Sequence, residues 1–153
     1  MAEAKIVFER ELPRGKFYIY QETPAFPFIR VKQTHSAIAL NEAEIAEEEN
    51  EADAIIGQSR IPKIILTADC LPILLLGEKS HSFVHAGWRG LHNHILQNDL
   101  IKKIEPIYAF IGPHISEKYY EVQSEFKEYF PSSDVFHEKE GKIYFSLLKM
   151  AKK

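Results

Sequence analysis

The segment that most constrains this chain is residues 64–90, which read IILTADCLPILLLGEKSHSFVHAGWRG. Short apolar runs bounded by Gly and Pro are typical of buried central strands, and we interpret residues 64–66 and 82–84 as two of them. The only cysteine of the chain, Cys70, follows the first run, and His85 follows the second. We therefore expect a buried sheet that presents a thiol and an imidazole at the ends of two strands.

Composition bounds the class of protein. A chain of 153 residues with 45% hydrophobic content is long enough to bury a core, and we interpret residues 1–153 as a single domain. The net charge of -3 indicates neither nucleic acid nor an anionic membrane as a partner. No apolar run approaches the roughly 20 residues of a membrane span, and no signal-peptide pattern opens the chain. One cysteine cannot form an internal disulfide, which favours a cytoplasmic location. The sequence leaves the oligomeric state open.

Strand and helix patterns alternate along the rest of the chain. Residues 5–9 and 17–21 predict a hairpin, and apolar residues at four-residue spacing predict one helix over residues 91–104. Further strands are predicted at residues 29–33, 37–40, 53–57, 107–111, 120–122 and 143–145, short helices at 125–130 and 146–153, and a polar loop at 132–141. This alternation favours an α+β fold, a single layered domain whose mixed β-sheet is covered by helices.

Residues 41–51 form a strongly acidic segment. A charged surface loop or short helix explains this composition better than a cation site. Calcium loops also need spaced Asp residues and a turn Gly, which this segment lacks.

The histidines and the cysteine are the candidates for metal chemistry. Two imidazoles and one thiolate, His35, His85 and Cys70, are a suitable zinc set that leaves a fourth position for water. Their spacing is not that of a zinc finger, so the sheet would have to bring them together. Residue types alone favour commoner roles, because a lone buried cysteine is usually an inert small hydrophobe. The other histidines are interpreted as surface or loop residues, although His114 after Gly112-Pro113 could overhang a site: His81, His92, His94, His114 and His137.

Three charged residues have open roles. Arg89, next to Trp88 at a predicted helix start, is a candidate substrate-binding residue for an anion, or else stacks on Trp88. Asp53 and Asp69 are either structural or a general acid or base.

Five motifs in order, THS, ADAIIG, LTADCLPILLL, HAGWRG and IGPHISEKYYEV, resemble those of YfiH-type laccase-domain proteins, also called multicopper polyphenol oxidases. The resemblance covers residues 29–122 and implies a layered α+β sandwich with a mixed sheet. It also implies that His35, Cys70 and His85 bind one zinc ion and form the catalytic centre. The implied activity is that of a purine nucleoside enzyme, which phosphorolyses adenosine, inosine, guanosine or methylthioadenosine and deaminates adenosine. A nucleoside and phosphate are then the expected small-molecule partners.

The sequence departs from the family pattern at several positions. Ser36 stands where Gly is usual, Ser146 stands where an acid is usual, and residues 117–120 replace a cysteine-containing pattern. The family's usual N-terminal segment is mostly absent, and so is its C-terminal one. We therefore expect metal binding by the residues that the resemblance covers.

The name laccase can be tested by counting ligands. A multicopper oxidase needs a type 1 copper and a trinuclear cluster fed by many histidines, and seven histidines do not supply these. Copper nevertheless remains an alternative to zinc. Three rival functions stay open: a Cys/His hydrolase of the kind that edits peptidoglycan precursors, a copper-dependent polyphenol oxidase, and a zinc-binding protein without activity.

Overall fold

The computed structural model describes residues 3–46 and 49–153. Its first element is the antiparallel hairpin of β1 (Ile6–Leu12) and β2 (Gly15–Tyr20), in which Leu12 pairs with Gly15. Gly15 has a φ of 146°, a conformation that suits glycine and lets the chain reverse over only two residues. The predicted hairpin is confirmed.

Five strands form the central sheet, in the order β3-β4-β6-β5-β7. They are β3 (Ala39–Asn41), β4 (Ala54–Gly57), β5 (Leu71–Leu76), β6 (His81–Ala86) and β7 (Tyr108–Ile111). Only β3 and β4 run parallel, and every other neighbouring pair is antiparallel. The mixed sheet expected from the sequence is therefore present.

The two faces of this sheet bury different partners, because side chains alternate along each strand. Ile73 and Val84 face the main hydrophobic core, which the helices cover. Pro72, Phe83 and His85 lie on the opposite face, where the β1–β2 hairpin packs through Phe17. The sheet is thus sandwiched, and the unusual polar groups lie on its hairpin side.

The helices are short: α1 (Trp88–His92), α2 (Asp99–Lys103) and α3 (Leu147–Ala151). The single helix predicted over residues 91–104 is wrong. His94 adopts the left-handed conformation with φ 62°, and a 3-10 turn follows it. The Asn98 side chain then starts α2 by accepting a hydrogen bond from the Leu100 N–H. The apolar spacing nevertheless predicted burial correctly, because the apolar side chains of residues 91–104 pack in or against the main hydrophobic core. The 3-10 turns occupy Glu42–Glu44, Ile95–Gln97, Ser124–Glu128 and Ser133–Val135.

A second small sheet closes the helical side, in the order β8-β10-β9. Its strands are β8 (Glu121–Val122), β9 (Phe136–Lys139) and β10 (Lys142–Phe145). The polar loop predicted at residues 132–141 is wrong, since it contains β9. Polar side chains misled the prediction because β9 is an edge strand with Glu138 and Lys139 exposed.

Two other segments differ from expectation. Residues 64–66 form no strand; the Gln33 side chain holds them instead, accepting from the Leu66 N–H at 2.7 Å and donating to its carbonyl at 2.6 Å. Cys70 consequently precedes β5 and does not end a strand. Residues 29–33 make only isolated bridges at Ile29 and Lys32. The acidic segment 41–51 begins with the predicted surface turn, but residues 47–48 lie outside the described part.

No helix among the described residues is both long enough and apolar enough to cross a membrane.

Candidate metal centre

The fold brings together the three side chains that the sequence singled out. The ligand atoms of His35, Cys70 and His85 all lie within 4.8 Å of one another. His85 comes from β6 and is buried, Cys70 immediately precedes β5, and His35 lies in the exposed loop before β3. The antiparallel register of β5 and β6 pairs Pro72 with His85, which accounts for the approach of Cys70.

Asp53 is the residue that organises the cluster. It is fully buried, and its Oδ2 lies 2.8 Å from Nδ1 of His85. Its carboxylate also accepts hydrogen bonds from the backbone N–H groups of Thr34, His35 and Ser36, and from the Ser36 hydroxyl at 2.7 Å. One carboxylate therefore fixes the ring of one ligand and the backbone of another.

This anchoring explains the conformation of the His35 loop. His35 has a φ of 59°, the left-handed region that non-glycine residues rarely adopt. Its N–H points at Asp53 Oδ2 at 3.1 Å, so the buried carboxylate offsets the cost of this conformation.

Gly87 leaves room for the side chains of Cys70 and His35, which pack against its backbone. A Cβ at this position would lie 2.9 Å from Cys70 Sγ and 3.3 Å from Cδ2 of His35. The HAGWRG motif therefore needs glycine here because two candidate ligands press against the backbone. Cys70 is held further by Thr67, whose hydroxyl donates to the Cys70 carbonyl at 2.7 Å.

The charges of the buried pair follow from its contacts. Burial opposes ionisation of Asp53, but hydrogen bonds from His85, Ser36 and Thr34 outweigh it and lower the pKa to about 2. Burial likewise lowers the pKa of His85, but the hydrogen bond with Asp53 and the neighbouring Cys70 thiol raise the pKa to about 9. At neutral pH Asp53 is ionised, and metal binding to His85 competes with protonation of its ring.

The donor set fits a metal ion. Zinc binds histidine nitrogen and cysteine sulfur at about 2.0–2.3 Å, so a contraction of the 4.8 Å cluster would enclose an ion. With Nδ1 of His85 engaged by Asp53, Nε2 is the nitrogen left for a metal, an arrangement common to histidine ligands. Among the described residues this is the only such group of three His, Cys, Asp or Glu side chains.

A large groove leads away from the cluster. It has a volume of about 1900 Å³ and runs along the hairpin side of the sheet. The β1–β2 hairpin forms one wall, residues 58–69 form the other, and side chains of β5 and β6 form the floor. His35, Cys70 and His85 line one end, so the cluster is accessible to a small molecule.

The other candidates have different surroundings. Arg89 is exposed and lies 5.2 Å from the centroid of the Trp88 ring, the stacked position that the sequence left as an alternative. It lies at the start of α1, which has only five residues. Asp69 is exposed and lines the groove. His114 bonds the Gly112 carbonyl at 2.9 Å through Nδ1.

Sequence reasoning left one central residue undecided. Asp53 had two open roles, although the ADAIIG motif already placed an acid at the start of a buried strand. A carboxylate at such a position needs strong partners, and this was the available signal. Gln33 was missed altogether, because nothing in its local sequence indicates that its amide pairs with the backbone of Leu66.

Comparison with known proteins gives one family match. The family model for multi-copper polyphenol oxidoreductase laccase matches residues 17–153. A protein of Aquifex aeolicus called purine nucleoside phosphorylase is 40% identical over 100 residues, covering 62% of this chain and 48% of its own length. A Rickettsia conorii protein of the same name is 31% identical over 134 residues, covering 83% of this chain and 56% of its own. The chain thus spans about half the length of these curated relatives.

Solved structures share the fold. A Neisseria meningitidis protein superposes with a TM-score of 0.70 at 29% identity, over 82% of this chain and 57% of that one. YlmD of Geobacillus stearothermophilus, at 19% identity, superposes with a TM-score of 0.67 over 84% of this chain and 57% of its own. The layered arrangement expected from the sequence is therefore that of solved proteins.

Proposed function

The chain belongs to the multi-copper polyphenol oxidoreductase laccase family, and from that membership we propose that it is a zinc-dependent purine nucleoside enzyme. The proposed reaction is phosphorolysis of adenosine, inosine, guanosine or methylthioadenosine. The observation that carries the proposal is the His35–Cys70–His85 cluster at the end of an open groove. The name of several relatives, purine nucleoside phosphorylase, supports the choice of reaction.

The protein residues would hold the metal and shape its surroundings. His35, Cys70 and His85 are the proposed ligands, and Asp53 keeps His85 oriented with Nε2 free. A bound zinc ion supplies a Lewis acid in contact with water or substrate. The Cys70 thiolate would lower the net charge of such an ion, and the exposed position of His35 leaves an approach from the groove.

Phosphate needs its own contacts. We propose Arg89 as a residue that binds phosphate, because its guanidinium is exposed and offers paired donors to an oxyanion. Asp69 and His114 are candidates for moving a proton: Asp69 lines the groove and precedes Cys70 in the chain, and His114 follows the strand that pairs with β5. Adenosine deamination at the same centre is a secondary proposal.

The direct experiment supplies metal-loaded protein with inosine and phosphate. The expected products are hypoxanthine and ribose 1-phosphate, and Cys70→Ala should abolish their formation. Arg89→Ala should raise the KM for phosphate more than it changes the KM for inosine. If loaded protein forms neither product, the phosphorylase proposal fails, and a zinc-binding protein without activity joins the two alternatives that follow.

One observation favours a second candidate. His85 Nδ1 lies 2.8 Å from Asp53 Oδ2, and the ligand atoms of Cys70 and His85 lie within 4.8 Å of each other, which is the order of a thiol nucleophile, its base and an orienting carboxylate. A Cys/His hydrolase built on these three residues would stay active after metal removal and be inactivated by alkylation of Cys70. Loss of activity on chelation would reject it.

Copper chemistry is the alternative that the family description suggests. The described residues gather one three-ligand cluster, whereas a multicopper oxidase needs several copper ions. A copper-dependent polyphenol oxidation would show dye turnover that rises with bound copper and is absent from the zinc form.

A further inference from the structure

The groove differs in charge from the rest of the molecule. Seven of the 19 Lys and Arg residues of the chain line it, but only two of its 22 Asp and Glu residues do so. The chain as a whole carries a net charge of -3, so positive charge is concentrated in this one concave surface. A cleft lined by one sign of charge focuses the field on a ligand of the opposite sign.

The floor of the groove has two chemically distinct ends. His85, Phe83 and His81 alternate along β6 and face the groove together. His85 belongs to the metal cluster, whereas His81 marks the other end, roughly 13 Å away along the strand. The half-buried ring of Phe83 lies between them as an apolar surface.

Unpaired cations gather at the His81 end. Gly57 pairs with His81, so Arg60 and Lys79 flank the same edge of the sheet, and neither has a partner among the residues that the structure describes. Arg14, at the hairpin turn, is held there by a hydrogen bond to the Glu78 carbonyl. A Cβ on Gly57 would lie 2.6 Å from both His81 Nε2 and the Lys63 side chain and 2.9 Å from Glu42 Oε2, so the Lys63–Glu42 pair lies beside His81. Burial and the positive charges of Lys63 and Arg14 lower the pKa of His81, and the charge of Glu42 opposes this shift.

The remaining cations of the groove are already engaged. Lys63 forms a salt bridge with Glu42 at 2.6 Å, Lys16 forms one with Glu9, and Lys32 forms one with Glu49. Arg30 also has a partner within the protein. No ion pair among the described residues neutralises Arg14, Arg60 or Lys79, and all three lie at the end opposite the metal cluster.

We infer that the His81 end of the groove is an anion subsite, and that the ligand joining it to the metal cluster is a purine nucleoside 5′-diphosphate. A nucleoside held at the metal end does not span the groove. A 5′-pyrophosphate adds two charged groups, which reach the three cations across the apolar floor. This inference rests on the proposed nucleoside site, because the metal end must hold the nucleoside for the phosphates to reach the cations.

The test compares the dissociation constants of inosine and inosine 5′-diphosphate for metal-loaded full-length protein at low salt. The diphosphate should bind about tenfold more tightly or better, and added salt should reduce that advantage. The double variant Arg60→Gln/Lys79→Gln should bring the ratio of the two constants close to one. Lys103→Gln, which removes a charge at the exposed end of α2, should leave the ratio unchanged. The unfolding temperature of each variant verifies that it is folded.

Three results would overturn the inference: equal binding of the two ligands, an unchanged ratio in the double variant, or pyrophosphate alone binding as tightly as the diphosphate. Its failure is separable from that of the proposed function. If inosine is phosphorolysed but inosine 5′-diphosphate binds no more tightly than inosine, only the anion subsite is rejected. If the diphosphate gains affinity but no nucleoside is cleaved, only the phosphorylase reaction is rejected.

Discussion

Asp53 connects the candidate ligands to the fold through a single side chain. Its carboxylate holds the imidazole of His85 and the backbone of residues 34–36, so a change there alters two ligands at once. Carboxylates behind metal-binding histidines typically account for a factor of about 10–100 in metal affinity. The residue is therefore a positioning residue for the centre, and it does not line the groove itself.

We predict that Asp53→Asn weakens zinc binding by about 10–100-fold, because the neutral amide no longer holds the His85 ring by charge. Competition with a chromophoric chelator measures this constant. Asp69→Asn is the matched control, since Asp69 is exposed and its side chain makes no hydrogen bond to a candidate ligand among the described residues. Equal affinity in the two variants would contradict the role given to Asp53.

The next prediction concerns the unsatisfied hydroxyl of Ser82. The hydroxyl of Ser82 is fully buried on the core side of β6 and has no hydrogen-bond partner within the described residues. We predict that Ser82→Ala raises the free energy of unfolding by about 1 kcal/mol, because the penalty for the unsatisfied hydroxyl is removed. Urea denaturation measures the change. A lower stability would instead show that the hydroxyl has a partner.

At the scale of elements, a buried ion pair fastens the acidic segment to the sheet. Glu42, in the 3-10 turn after β3, meets Lys63 at 2.6 Å and accepts hydrogen bonds from the backbone N–H groups of Gln58 and Ser59. Gly57 makes room for this group, since a Cβ there would lie 2.6 Å from the Lys63 side chain. The groove wall at residues 58–63 therefore depends on one carboxylate.

The Glu42–Lys63 ion pair predicts that the stability of the protein depends on pH. Burial disfavours the charge of Glu42, but the hydrogen bonds from Lys63, Ser59 and Gln58 prevail and lower the pKa to about 2, below the ordinary 4.5. Because the folded pKa is the lower one, the stabilisation is present above pH 4.5 and is lost as the pH falls towards 2. Glu42→Gln should lower the free energy of unfolding at pH 7. The difference between this variant and the wild type should shrink as the pH falls from 4.5 towards 2. A constant difference would contradict the assignment.

Sequence patterns predicted elements best where local and tertiary preferences agree. The β1–β2 hairpin and the strands β4, β6 and β7 followed from apolar runs and turn residues. The helix over 91–104 did not form as one piece, because His94 turns left-handed and Asn98 caps a new helix, neither of which the apolar spacing reveals. Strand β9 was hidden because an edge strand carries polar side chains.

At the scale of the whole molecule, the layered α+β fold and the mixed sheet were predictable, and the comparisons confirm them. The proximity of His35, Cys70 and His85 was expected from strand ends and from the family motifs, and the structure brings their ligand atoms within 4.8 Å. The dual role of Asp53 and the charge of the groove were not predictable, since both arise from residues that meet only after folding. The function of the chain as an enzyme, and residues 1–153 as a single domain, remain proposals.

The central claim is that these three side chains bind one metal ion. Elemental analysis of protein purified without chelator tests it most directly, with Cys70→Ala as the test variant and exposed His92→Ala as the matched control. We predict about one zinc ion per chain in the wild type and in His92→Ala, and a loss of nearly all of it in Cys70→Ala. Metal content that is negligible in the wild type, or that is unchanged by Cys70→Ala, would contradict the account.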